Sequence, residues 1–428
     1  MDAEARRVRE RVEGVLAGLA APLRAALVER LAREPRDAAT TLILEAAVGH
    51  ADPAPDPLGV FFAPLAPFIE HEALPKLAGR IASASLDGIW RFLTRDAAPE
   101  GFGALLDAPD ARGFAGLRAT LYPRLSASIA GAERNAKARQ RLVAQLGGER
   151  AYLDFQDLLA LERWQPELDR LLADLPPALG PVDGSVPEHA VPLVRFLAAH
   201  PAAAACAIAG SLPRFARAAD LVRLARLVGG TDDARRLRRG PAAALLDGAF
   251  HEIERWVYRA RTRSRGEGAL EPILAPYHDI VRAVTQEIEI EFDPVWRQRL
   301  GDLRRAMSDE VTGELDGLLP ALRTAVRVSD TERPQLAGAR CRLAVLIAAR
   351  EARESLALNA FLARTITLAE QAVEFSVKDL MARAGRVGGA ERAPVIHALD
   401  RAIGLAGMLF GADYAGLLQK ARENVMRG

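Results

Sequence analysis

The segment Gln286–Trp296 has the sequence QEIEIEFDPVW, in which four acidic side chains alternate with isoleucine and phenylalanine. Strict alternation of this kind is typical of a half-buried β-strand. The residues upstream indicate a helix instead, because large apolar side chains recur there at steps of three and four. This apolar stripe consists of Tyr277, Ile280, Val281, Val284, Ile288 and Phe292.

The stripe predicts one helix that ends near Phe292 and leaves Ile290 off the apolar face. Asp293 and Pro294 then predict the start of a second helix, because Asp is a favoured N-cap and Pro is tolerated at the first helical position. On a helix the acidic side chains fall on two different edges and do not converge. We therefore interpret them as solvated acids and a helix cap, with no metal site.

The same helical periodicity extends through most of the 428 residues, interrupted by segments rich in proline and glycine. Alanine, leucine and arginine dominate the composition, and all three favour helices. No series of alternating strands separated by turn dipeptides occurs. The sequence therefore predicts an all-α, multi-helix protein with two helical domains or bundles and no significant β-sheet. A diverged helical solenoid remains an alternative, because stacked helix pairs can lose their repeat signature.

The clearest domain boundary is the segment 174–192, which contains five prolines and two glycines. Few helices cross such a segment. We expect an N-terminal helical domain over 1–176 and a C-terminal helical domain over 190–428. A lesser break at 264–272 separates off a bundle of long helices over 273–428. Within that bundle, residues 336–384 contain no proline and form either one very long helix or two.

The sequence predicts a cytoplasmic protein without a membrane span. Residues 1–31 form an amphipathic pattern whose early charges are of both signs, unlike a signal peptide. The longest uncharged run, Phe196–Pro213, is rich in alanine and shorter than the about 20 strongly apolar residues that a span requires. We interpret it as a buried helix. The two cysteines, Cys206 and Cys341, form no disulfide framework or zinc motif.

Common catalytic and cofactor motifs are missing from the sequence. It contains no P-loop, no complete dinucleotide-binding glycine motif, no G-x-S-x-G nucleophile elbow and no H-E-x-x-H zinc motif. Glu-x-x-His pairs, which helical di-iron proteins use, do not occur either. We therefore expect no cofactor, and no enzymatic activity follows from the motifs.

One constellation of histidines and acids supports an alternative. His251, then His278 and Asp279, then a later acid such as Asp302 or Asp309, follow an order similar to the H…HD…D order of helical metal-dependent phosphohydrolases. Such ligands would hold divalent metals that activate water against a phosphate. However, the helical pattern places both histidines away from the apolar stripes, so we expect both on the surface beside carboxylates.

A second alternative rests on charge. The segment 214–265 contains thirteen arginines and six acids, although the net charge of the chain is only +1. Guanidinium groups bind phosphate oxygens, and aromatic faces stack on bases. The candidate anion-binding residues are Arg255, Trp256, Tyr258, Arg259, Arg261, Arg263 and Arg265. The alternative interpretation is that the aromatics belong partly to the core while the arginines pair with acids elsewhere.

The sequence as a whole favours a non-enzymatic interaction or scaffold protein. Many amphipathic helices and no cluster of catalytic groups are the observations behind this hypothesis. Helical proteins of this kind bind through an apolar groove or ridge. We expect the partner to be another protein or a second copy of the chain. The phosphohydrolase and the phosphate- or nucleic-acid-binding functions are the alternatives.

Overall fold

The computed structural model describes residues 56–263, 270–328 and 333–427. The predicted N-terminal amphipathic helix and Arg265 lie outside the described residues. Across the described chain the structure is mostly helical, with only two short parallel strands, so the predicted all-α class is confirmed. The strands are β1 (Ile69–Glu70) and β2 (Ile81–Ala82), paired in register at Ile69 and Ile81.

The described α-helices follow one another along the chain with short connections. They are α1 (Pro57–Phe62), α2 (Ser83–Arg91), α3 (Pro99–Asp107), α4 (Ala111–Glu133), α5 (Ala136–Leu146), α6 (Glu149–Asp174), α7 (Val191–Ala199), α8 (Ala204–Ser211), α9 (Ala219–Gly229), α10 (Ala234–Leu237), α11 (Ala242–Thr262), α12 (Glu271–Glu287), α13 (Pro294–Leu315), α14 (Leu318–Ala325), α15 (Arg333–Glu351), α16 (Asn359–Ala384), α17 (Arg392–Phe410) and α18 (Ala412–Arg427).

The chain divides into two compact units. Among the described residues, the first consists of 56–71 and 79–165, and the second of 72–78 and the residues from 166 onward. The division falls within α6, which continues through Pro166 to Asp174. The short segment between β1 and β2 belongs to the second unit.

The first unit has an aromatic core. Phe61 is fully buried, and its ring contacts those of Phe62, Trp90, Phe102, Phe114 and Tyr122. Edge-to-face and tilted contacts of this kind add to the free energy of burial. Arg118, on α4, donates to the Phe61 carbonyl oxygen at 2.6 Å and lies over the Phe61 ring. The core thus ties α1 to α4.

Asp154 joins α6 to the start of α2 by hydrogen bonds. It is fully buried on α6 and accepts hydrogen bonds from the Ser85 hydroxyl at 2.6 Å and the Ala82 amide at 3.1 Å. Ala82 precedes α2 and has no side chain that can cap the helix. A carboxylate from a distant helix therefore satisfies the start of α2.

The second unit packs its helices around α11. Helices α8, α9, α12 and α13 all contact α11. Its apolar residues Leu245, Leu246, Ala249, Phe250, Ile253 and Val257 are buried. Because several neighbours cover α11, more than one of its faces is withdrawn from water. His251 lies on α11, so the helices that cover α11 determine its environment.

The acidic segment 286–296 does not continue the preceding helix as far as the sequence predicts. Helix α12 ends at Glu287, Ile288 is extended, and a 3₁₀ turn covers Ile290–Phe292. Ile288 and Ile290 are both buried, while Phe292 is 51% exposed. The prediction of a helix to Phe292, with Ile290 off its apolar face, was therefore wrong. The helix periodicity stops where the backbone becomes extended at Ile288, so it does not predict the burial of the residues that follow.

A backbone hydrogen bond fixes the extended residues. The Glu289 amide donates to the Asp232 carbonyl oxygen at 2.9 Å, within an isolated parallel bridge between Asp233 and Glu289. The predicted start of the next helix is confirmed. The Asp293 carboxylate accepts from the amides of Val295 and Trp296 at 3.0 Å, with Pro294 at the first helical position.

The structure also resolves the question of residues 336–384. They belong to two helices, α15 and α16, separated by a 3₁₀ turn over Arg353–Ser355. Helix α16 then packs against α17, and α18 packs against both. The C-terminal part of the second unit is therefore a bundle of helices of 16 to 26 residues.

The uncharged run Phe196–Pro213 is not one helix. Helix α7 ends at Ala199, and the chain bends by 111° at His200 before continuing into α8. Most of α8 is buried, as the sequence indicated. Helix α17 is long and apolar enough to cross a membrane by length and composition, but half of its most apolar window is buried inside the protein. Core helices of water-soluble proteins share these properties.

Candidate functional site

The predicted basic segment lies along the C-terminal half of α11, where acids surround it. Glu72 contacts two of its arginines, with its Oε1 atom 2.9 Å from Arg259 Nε and its Oε2 atom 3.3 Å from Arg255 Nε. Arg255 also bonds to Glu252, one turn earlier on α11. Two of the predicted anion ligands are therefore already neutralised within the second unit.

Arg263 follows the last turn of α11 and is buried. Its side chain is 5% exposed, and its two terminal nitrogens lie 3.1 Å from Glu310 and 3.2 Å from Glu314. Both glutamates belong to α13, and Glu314 is itself 3% exposed. This guanidinium joins the end of α11 to α13 in the protein interior, so it is not exposed to bind a nucleic acid.

The other members of the predicted set divide between core and solvent. Trp256 and Tyr258 are half-buried, and the Arg259 guanidinium lies 5.1 Å from the centre of the Trp256 ring. Arg261 is exposed. Arg255, Arg259 and Arg263 thus form ion pairs within the protein, and Arg259 also makes a cation–π contact.

His251 is buried, in contrast to the surface position that the sequence predicted. Its side chain is 1% exposed, and Nδ1 lies 3.8 Å from Glu254 Oε2. The prediction was wrong because it assumed one apolar face on α11, whereas α13 covers the polar side of this helix as well. Arg299, on α13, donates to Glu254 Oε1 at 2.8 Å and lies over the Phe250 ring.

His278 and Asp279 have other partners. His278 is half-buried rather than on the open surface, and its Nδ1 lies 2.7 Å from the Ser355 hydroxyl. Burial, assisted by the nearby Arg282, lowers the pKa of His278, so this side chain favours its neutral form. Asp279 accepts from both Nε and a terminal nitrogen of Arg217, at 3.0–3.2 Å.

The residues of the phosphohydrolase alternative do not assemble into a metal centre in the described part of the chain. Asp302 accepts from Gln298 and Arg305 on its own helix. Across residues 56–263, 270–328 and 333–427, no group of three or more His, Cys, Asp or Glu side chains has the geometry to hold a metal ion.

An exposed apolar stripe runs along α16. No sequence motif marks this stripe. Phe375 is 72% exposed, the largest exposure among the large apolar side chains described, and Leu368 is 36% exposed. They lie seven residues apart, and Phe361 and Ala382 continue the same spacing in both directions. Residues spaced by seven lie close to one line along a helix. We name Phe361, Leu368, Phe375 and Ala382 the α16 stripe.

The opposite face of α16 is well packed. Leu362, Val373, Val377 and Leu380 are buried against neighbouring helices. Residues outside the α16 stripe therefore pack α16 against its neighbouring helices. Sequence inspection misses the stripe because α16 carries apolar residues on both sides, and periodicity alone does not tell which side the bundle covers.

Two charged residues lie beside the α16 stripe. Arg364 is exposed, and Asp379 is about half-exposed, with Arg383 of the same helix 3.9 Å away. They stand at nearly equal distances on either side of the helix midpoint between Gln371 and Ala372. Arg364 therefore lies toward one end of the stripe and Asp379 toward the other.

Comparisons of the chain with protein-family models, with curated proteins and with solved structures each found no match.

Proposed function

We propose that this protein is a non-enzymatic assembly protein that associates with a second copy of itself through the α16 stripe. The observation that carries the proposal is Phe375, whose ring is 72% exposed in the middle of a helix that is otherwise well packed. A large aromatic side chain held in water loses the free energy that burial in an interface provides.

The residues beside Phe375 fit an antiparallel pairing of two α16 helices. When the symmetry axis passes between Gln371 and Ala372, Leu368 of one copy faces Phe375 of the other. The same alignment places Arg364 opposite Asp379 twice, once on each side of the axis. A twofold interface must be self-complementary in this way. The opposite charges therefore support a second copy, aligned antiparallel, as the occupant of the stripe.

Magnitudes indicate a weak, concentration-dependent dimer. Full burial of a Phe or Leu side chain contributes about 1.5–3 kcal/mol. Association costs about 4–15 kcal/mol in lost freedom of the two partners. Leu368 is already mostly buried, so it contributes less than a fully exposed leucine. Exposed ion pairs contribute about 0–1 kcal/mol each, so Arg364 and Asp379 set the alignment more than the affinity.

Sedimentation velocity over a range of protein concentrations tests the proposal. We expect a monomer–dimer equilibrium for the native chain and a monomer at all concentrations for Phe375→Glu. Thr367→Glu is the matched control, because Thr367 is an exposed residue of the same helix that lies off the stripe. It should leave the equilibrium unchanged. A native chain that stays monomeric throughout would show that the proposal is wrong.

Charge reversal tests the alignment separately. Arg364→Asp or Asp379→Arg alone places like charges opposite each other twice, and we expect about tenfold weaker dimerisation. The double variant restores both opposite-charge pairs and should recover the native affinity. Dimerisation that is lost in Phe375→Glu but indifferent to charge reversal would contradict the antiparallel alignment.

A further inference from the structure

A cleft in the second unit is distinct from the α16 stripe. It has a volume of about 620 Å³, within the usual range for small-molecule sites. Much of its wall is alanine, from the starts of α8 and α11. Such walls leave room for a ligand because they carry no long side chains.

Three cationic side chains and one carboxylate line the cleft. The cations are Lys76, Arg239 and Arg299, and the carboxylate is Asp247 on α11. They come from four separate parts of the chain, so no local sequence motif marks the site. The positive ends of two helices, α8 and α11, add to this field, and neither helix has a side-chain cap at its start.

The charges in the cleft are unevenly distributed. Asp247 Oδ1 accepts from Trp296 Nε1 at 3.2 Å and lies 3.3 Å from a terminal nitrogen of Arg299. Arg299 also pairs with Glu254, so two acids neutralise it. Arg239 is exposed at the cleft and forms no ion pair with another described residue. The uncompensated positive charge is therefore at the Arg239 end.

The surroundings of Asp247 disfavour its charged form. Burial raises the pKa of Asp247 despite the hydrogen bond from Trp296 and the nearby Arg299. A carboxylate in this position is the one negative charge that faces an anion entering the cleft.

We infer that this cleft binds a small organic phosphate, with the phosphate group at Arg239 and a compact apolar body against the alanine walls. A guanidinium donates two parallel hydrogen bonds to phosphate oxygens. The apolar walls favour a phosphate ester over inorganic phosphate. The Asp247 carboxylate repels a phosphate, and Arg299 is already paired with acids. The phosphate group of the ligand therefore lies at the end of the cleft away from α13.

Isothermal titration of the full chain with phenyl phosphate tests the inference. We expect saturable binding, with inorganic phosphate at least tenfold weaker because it lacks the apolar body. Arg239→Ala should weaken phenyl phosphate binding at least tenfold. Arg236→Ala is the matched control, because Arg236 is an exposed arginine three residues before Arg239 that does not line the cleft. It should bind like the native chain.

Two further variants separate a built site from diffuse surface charge. Asp247→Asn keeps the oxygen that accepts from Trp296 and removes the opposing charge, so phenyl phosphate binding should tighten. Ala244→Leu fills the apolar wall, so phenyl phosphate binding should fall while inorganic phosphate binding persists. The inference is overturned if phenyl phosphate does not saturate, if Arg236→Ala matches Arg239→Ala, or if benzoate binds more tightly than phenyl phosphate.

Discussion

Arg263 is the residue whose role changes most between sequence and structure. As one of a run of arginines, it was a candidate phosphate ligand. In the folded chain its side chain is buried between Glu310 and Glu314, and a second cation, Arg342, lies 3.8 Å from Glu314. Removing one member of a buried ion pair leaves the other charge desolvated and uncompensated. Its structural role therefore excludes it from an exposed anion site.

We predict that Arg263→Ala destabilises the second unit by about 3–5 kcal/mol, because the buried Glu314 and the half-buried Glu310 both lose an ion-pair partner. Urea-induced unfolding measures the change. Arg261→Ala is the matched control, since Arg261 is exposed and near in sequence, and it should change stability by less than about 0.5 kcal/mol. Equal effects of the two substitutions would contradict the buried ion cluster.

Gly88, on α2, lies in close contact with the C-terminal end of α5. A Cβ atom at this position would overlap the carbonyl oxygen of Leu146, the last residue of α5. A backbone oxygen at a helix end has little room to move. Glycine therefore lets the two helices pack at this separation, and the requirement is steric rather than conformational.

We predict that Gly88→Ala destabilises the first unit by about 1–3 kcal/mol or more, because overpacking forces the backbone to shift. Gly116→Ala should instead stabilise it by about 0.5–1 kcal/mol, since Gly116 lies within α4 with nothing near its missing Cβ. Thermal unfolding of the two variants should therefore shift in opposite directions. A gain in stability for Gly88→Ala would rule out the close approach.

At the level of the whole molecule, charge pairing limits the attraction to nucleic acid. The net charge is +1, and the described arginines of the basic segment mostly face acids of the same unit. Counterion release from phosphate contacts drives nonspecific binding, with a slope of about 0.7 per contact on single strands. Arginines that already pair with acids have few such contacts to make.

We predict no saturable binding to single-stranded DNA at about 0.15 M salt, because Arg255, Arg259 and Arg263 already pair with acids. Fluorescence anisotropy at several salt concentrations measures it. Tight binding with a steep salt dependence, reduced by Arg261→Ala and unchanged by Thr367→Glu, would instead favour the nucleic-acid alternative.

The helical class was predictable from the sequence, as was the start of α13 at Asp293. Both depend on near neighbours: apolar residues at steps of three and four, and a carboxylate two and three residues before the amides that it caps. The end of α12 was not predictable, because its periodicity continues to Phe292 while the backbone becomes extended at Ile288. The bond from the Glu289 amide to Asp232 joins residues distant in sequence, and no local pattern contains it.

By itself, the sequence determined that this chain forms helices, because each turn brings residues three and four apart onto one face. Only the tertiary structure decided which faces are buried. It buried His251 under a neighbouring helix, paired Arg263 with Glu310 and Glu314, and left Phe375 in water. It also brought Arg239, Asp247 and Arg299 to one cleft. Burial and charge pairing depend on which elements meet, and residues far apart in the chain supply those contacts.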